Sequence, residues 1–222
     1  MSECPVLPRA LSSAQERRLV DYLDEKFLEL TRGFRKRYEP DSPFSTLSGY
    51  LEAASRILIL VLQIPPIDPS TSLRTAYLLR LTNEVLSSIS GYTPSTSALE
   101  DAASWIDDLD QGWLVVLQSQ VWDAKKGEGV DLVLGAGEAV KSTAMSETEV
   151  TRLRSLIVSG MAELDGWVGG GGEEEVEVES KLRRLGLQDR LDELFSGTLD
   201  FLGGLGGFVV EPLSSLDTHA LS

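Results

Sequence analysis

Leu19, Leu23, Phe27, Leu30 and Phe34 recur at steps of four, four, three and four. That spacing gathers five large apolar side chains on one stripe of an α-helix. A strand cannot do this, because its faces alternate at every residue. The stripe predicts a first helix of about six turns. It opens at Ser13, where Glu16 three residues on completes a reciprocal cap of the free amides. It ends near Pro40, since the residue before a proline is pushed out of helical dihedrals. A one-sided helix of this length needs other apolar faces to cover it.

The chain supplies those faces in helix-length pieces punctuated by Gly and Pro. A second helix is predicted from Thr46 to Gln63. It is amphipathic through Leu47, Leu51 and Ala54, then apolar nearly all round across Ile57–Ile64, so its later half belongs at the centre. Pro65 and Pro66 end it. A third helix spans Ser72–Ser90, with Leu73, Tyr77, Leu78, Leu81, Val85 and Leu86 inward and Gly91 as its stop. A Ser/Thr/Pro loop leads to a fourth, Ala98–Trp122, with Ser97 and Glu100 at the capping spacing. Trp105, Ile106, Leu109, Trp113, Val116 and Leu117 form its stripe, and Gly112 within it signals a kink or a close helix contact.

Val130–Leu134, flanked by glycines, fits a short strand or a helical turn. A weak helix is expected, because no second good strand segment is present to pair with it. Ser146 and Glu149 open a fifth helix at the capping spacing. Its period runs through Val150, Leu153, Leu156, Ile157, Met161, Leu164 and Trp167. Gly169–Gly172 and the following EEEVEVES read as a linker, because glycines are costly to order and the five glutamates repel one another. A final helix is expected over 178–202, with Leu182, Leu185, Leu191, Leu194 and Phe195 inward.

The expected fold class is therefore all-α: an antiparallel helical bundle or an irregular array of six to seven helices, with an acidic Gly-rich linker before the last one. Residues 1–168 form the helical domain and 169–180 the flexible linker. Residues 181–222 hold a C-terminal helix packing on the body and a disordered tail.

The chain has one cysteine, Cys4, and one histidine, His219. Across residues 5–218 there is no imidazole and no thiol. The commonest general base, nitrogen ligand and thiolate nucleophile are thus missing from the whole expected core. A Cys/His zinc site is excluded, and so is an intramolecular disulfide. No cofactor is expected. The glycine clusters follow helices and run into carboxylates, unlike loops that cradle phosphates. The N-terminus lacks a basic region followed by an apolar run, and the longest apolar stretch has eight residues. Both point to a protein without a membrane span, in the cytoplasm or nucleus.

Net charge is −15. Residues 1–80 carry 11 Lys/Arg against 10 Asp/Glu, and residues 81–222 carry 9 against 25. Such a field opposes nonspecific contact with nucleic acid and favours a basic protein partner. Arg32, Arg35, Lys36 and Arg37, with Phe34 and Tyr38 between and beside them, form a dense basic segment. In the last turn of a helix they complement its dipole. The alternative use of this segment is a nucleic-acid or nuclear-import patch. Asp107, Asp108 and Asp110 crowd together without the alternating spacing of a calcium loop, and read as a solvated helix face. Tyr92, Trp122, Trp167 and Phe208 lie near helix ends, where exposed aromatics anchor partners.

The expected function is a non-enzymatic helical adaptor, or small subunit of an intracellular protein complex. The alternative is a nucleic-acid-associated accessory factor using residues 32–37. A third class is an enzyme built on carboxylates or a Ser/Lys pair, without histidine.

Overall fold

A computed structural model describes residues 9–132, 142–169, 190 and 193–205. Within them the protein is all-α apart from one small hairpin. The elements are α1 (Ser13–Arg35), α2 (Leu47–Leu62), α3 (Ser70–Ile89), α4 (Thr96–Leu117), β1 (Val121–Asp123), β2 (Glu128–Val130), α5 (Glu147–Gly169) and α6 (Ser196–Leu205).

The first apolar stripe folds as expected, with Leu23, Phe27 and Leu30 buried. The cap sits one residue earlier than the Ser13–Glu16 reading. Ser12 and Gln15 close the reciprocal box, because Ser12 is the residue with extended backbone, φ −69° and ψ 155°. At α4 the hydroxyl of Ser95, not Ser97, accepts from the Ala98 amide at 3.2 Å. At α5 the expected pair forms: Ser146 accepts from the Glu149 amide, and the Glu149 carboxylate accepts from the Ser146 amide at 2.8 Å.

α2 packs against α1, α3 and α4. Its buried side is Tyr50, Leu51, Ala54, Ile57, Leu58, Val61 and Leu62. Burying one such aliphatic side chain stabilises the fold by about 1.5–3 kcal/mol. The later half of α2 is less enclosed than its all-round apolar sequence suggests, since Ile59 stays exposed. α3 crosses the centre and meets α4 and α5. There the Trp113 indole donates to the Thr82 hydroxyl at 3.0 Å, both side chains fully buried. α5 lies so close to α3 that a Cβ at Gly160 would stand 2.5 Å from a methyl of Leu86. Of the side chains placed on the stripes and inward faces from sequence, Leu19, Phe34, Leu73, Leu117, Val150, Leu156 and Met161 are only partly buried.

The structure corrects the sequence reading after residue 117. α4 does not continue to Trp122, and Val130 is not in a helical turn. Ser119 takes φ +55°, the chain turns, and Val121–Asp123 pairs antiparallel with Glu128–Val130, Val121 opposite Val130. Asp123 accepts from the amides of Lys126 and Gly127, and Gly127 adopts φ +70°, a conformation glycine takes without penalty. The missing strand partner was hidden in the supposed end of α4. Residues 133–141 lie outside the described residues, as do most of the expected linker, Cys4 and His219.

The expected helix over 178–202 is also not continuous. Residues 193–195 form a turn, with Phe195 at φ +58°, and α6 starts afresh at Ser196. No helix among the described residues is long and apolar enough to cross a membrane.

Candidate functional site

The end of α1 meets the start of α2, with the Phe34 and Tyr50 rings 5.7 Å apart, so the two helices run antiparallel. A solvent-facing groove of about 440 Å³ opens along the pair. Leu30, Ala53, Ile57 and Leu60 supply apolar lining from the two helices, with Tyr22 on α1 and Phe44 just before α2. Tyr22 is 48% exposed, a large aromatic left in water.

Each helix contributes one ion pair to the groove. Lys26 pairs with Glu29 at 2.7 Å on α1, and Arg56 pairs with Glu52 at 2.5 Å on α2. Glu29 raises the Lys26 pKa, chiefly through that hydrogen bond. Exposed pairs of this kind add little to helix stability. Their more consequential effect is to set charges of both signs beside an apolar groove.

The aromatic end residues behave differently from the sequence expectation. Tyr92 and Trp167 are 8% and 7% exposed, so neither stands free at the surface. The Trp167 indole donates to the Tyr92 carbonyl at 2.6 Å, and the Tyr92 hydroxyl donates to the Phe44 carbonyl at 3.1 Å. Helix ends fold against one another here, which is why end position did not mean exposure. Trp122 is half-buried on β1 and packs against the core. Phe208 lies outside the described residues.

The basic segment divides. Arg32, Arg35 and Lys36 are exposed, and Lys36 stands 3.4 Å from Glu39. Arg37 turns inward. Its guanidinium lies 4.1 Å from the Phe34 ring centre and 4.3 Å from that of Tyr38, and donates to the carbonyls of Gly91 and Phe34 at 3.0 Å. That contact ties the end of α1 to the end of α3.

The acidic triplet on α4 divides too. Asp107 pairs with Arg190 at 2.5 Å. Partial desolvation, then Asp107 beside it, pushes the Asp108 pKa up. Asp110 is not a solvated face residue: it is buried, and its carboxylate accepts from the amides of Gly197 and Thr198. The sequence reading missed this because only the far-off start of α6 supplies those donors.

Arg74 was missed as well. It lies on α3 only 1% exposed, donating to the Leu62 carbonyl at 3.0 Å and the Gln120 carbonyl at 2.7 Å. Burial pulls its pKa down to about 10. Among the described residues, no group of three or more His, Cys, Asp or Glu is placed to hold a metal ion. No family model matches the chain, and no curated protein or solved structure matches it.

Proposed function

We propose that the protein is a non-enzymatic helical adaptor, a small subunit that joins an intracellular complex in the cytoplasm or nucleus through protein–protein contacts. The groove between α1 and α2 carries the reading. Its occupant is one amphipathic α-helix of a partner protein. Two antiparallel helices with an apolar trough between them match the apolar stripe of a third. The flanking charges, Lys26 and Arg56 with Glu29 and Glu52, match a stripe bordered by residues of both signs. The whole-chain charge of −15 favours a partner that is basic overall. The lack of imidazole and thiol between residues 5 and 218 supports the non-enzymatic half of the reading.

Photo-crosslinking tests it. A benzophenone amino acid in place of Tyr22 is expected to label one cellular protein through a helix. That helix, made as a peptide, is expected to bind the purified chain at micromolar affinity or better. Ala53→Arg, which fills the trough from its half-buried wall, is expected to weaken binding at least tenfold with the melting temperature unchanged. Binding indifferent to Ala53→Arg, or no Tyr22-dependent label, overturns the groove.

A further inference from the structure

A contact capped at both ends lies elsewhere, where α6 sits on α4. The start of a helix leaves amide donors without partners, and a residue just before the helix normally accepts from them. In α6 the acceptor comes from another helix. Asp110 of α4 receives the Thr198 amide at 2.8 Å and the Gly197 amide at 3.2 Å. The far end of α6 is met in the same way, since Arg154 of α5 donates to the Leu202 carbonyl. A carboxylate thus faces the positive end of the helix dipole and a guanidinium its negative end. Upstream, Arg190 pairs with Asp107. Leu194, Phe195, Thr198 and Leu202 are buried against this surface.

α6 itself is a weak helix. Three of its ten residues, Gly197, Gly203 and Gly204, are glycines, which disfavour the helical state relative to alanine. Phe195, almost fully buried before its first turn, holds a left-handed backbone at φ +58°, a conformation that strains a residue with a side chain. Residues 170–195 separate α6 from α5, and their sequence includes three of the four clustered glycines and six glutamates. The receiving surface is thus more specific than the helix it receives.

We infer that this surface, with Asp110 of α4 at one end and Arg154 of α5 at the other, is a second helix-receiving site. The chain fills it with its own α6, and a partner helix of the same chemistry replaces α6 there. The partner helix presents an arginine or lysine upstream for Asp107 and a Leu-Phe anchor. It also presents a small residue at the position of Gly197. A Cβ at Gly197 would come within 2.8 Å of the Asp110 carboxylate and 3.0 Å of Leu114, so a large residue there is refused. Buried Asp110 explains why the occupant must be a helix beginning at that point: two adjacent free amides are what its two oxygens accept. The inference does not depend on the groove between α1 and α2.

The probe is a fluorescent peptide of residues 190–205, offered to the full chain. Wild type, with its own α6 in place, is expected to bind it weakly. Gly197→Val, which spoils the chain's own cap, is expected to bind it at least tenfold more tightly. Adding Asp110→Ala to that variant is expected to remove the gain. Equal binding by wild type and Gly197→Val, or binding indifferent to Asp110, overturns the proposal. Hydrogen exchange on the wild type gives an answer even if Gly197→Val does not fold. The Gly197 and Thr198 amides are expected to exchange at least a hundredfold faster than the amides of α2 and α3. Equal protection makes α6 an inseparable part of the core and overturns exchange.

Discussion

The Trp167 indole and the Tyr92 carbonyl meet at 2.6 Å, joining the last turns of α5 to the chain just past α3. A buried hydrogen bond contributes about 0.5–1.5 kcal/mol net, and an orphaned buried acceptor costs about 1–3. Trp167→Phe keeps an aromatic ring but loses the donor. It is expected to lower stability by about 1–3 kcal/mol, read from the urea midpoint at unchanged slope. An unshifted midpoint would show that water replaces the indole at no cost.

Arg74 holds two carbonyls from different parts of the chain, Leu62 and Gln120. Arg74→Met fills similar space and donates nothing. Leaving both carbonyls without that donor is expected to cost about 2–5 kcal/mol, measured by thermal or urea unfolding. Arg74→Lys is expected to recover only part, since one ammonium does not reproduce the guanidinium fork.

Alkali acts through the buried phenols. Burial raises Tyr77 to about 12, with Asp24 adding to it, and burial raises Tyr92 to about 12 against the pull of Arg37. Tyr50 is pushed up as well, chiefly by burial. In the unfolded chain a tyrosine loses its proton near 10. A folded pKa above that value means the neutral phenol belongs to the fold. This stabilising contribution is therefore whole below pH 10 and lost as pH climbs from 10 through about 12. Arg74 works in the opposite sense, one group against three. The expected result, read in the Tyr22→Phe/Tyr38→Phe variant so that only the three buried phenols report, is cooperative alkaline unfolding, with tyrosinate absorbance and loss of helical circular dichroism rising together. Tyrosinate appearing well before the helix signal falls would refute it.

Arg37 and its basic neighbours are expected to separate on mutation. Arg37→Ala removes three ring contacts, to Phe34, Tyr38 and Tyr92, and its bonds to the carbonyls of Gly91 and Phe34, for a loss of about 1–3 kcal/mol. Arg32→Ala and Arg35→Ala, both on exposed side chains, are expected to stay within about 0.5 kcal/mol of wild type. Melting curves at one ionic strength compare all three.

Much of this fold is written in single-helix patterns. The stripe of α1, the core face of α3 and the Ser146–Glu149 cap depend on residues three or four apart, and all three are found. What pattern alone missed depends on distant partners. The hairpin carried a local sign, Asp123 followed four residues on by Gly127, but Val121 and Trp122 also continued the helical period of α4. Arg74 has the polarity of a surface residue and becomes a core residue only because the ends of α2 and α4 converge on it. The groove between α1 and α2 had no sequence sign, since it is the space left between two stripes, each of which is satisfied on its other side.

The cap on α6 makes the middle of the chain and its C-terminal part chemically interdependent. A product of proteolysis or early termination ending before Arg190 would lose the ten residues of α6 together with the arginine upstream of them. It would uncover the Asp110 carboxylate beside Asp107 and Asp108, three acids within four positions with the amides of Gly197 and Thr198 and the guanidinium of Arg190 gone. Mutual repulsion would then oppose the very turn of α4 that packs Leu109 into the core. The shortened chain is thus a different electrostatic object, not the same body with a piece removed.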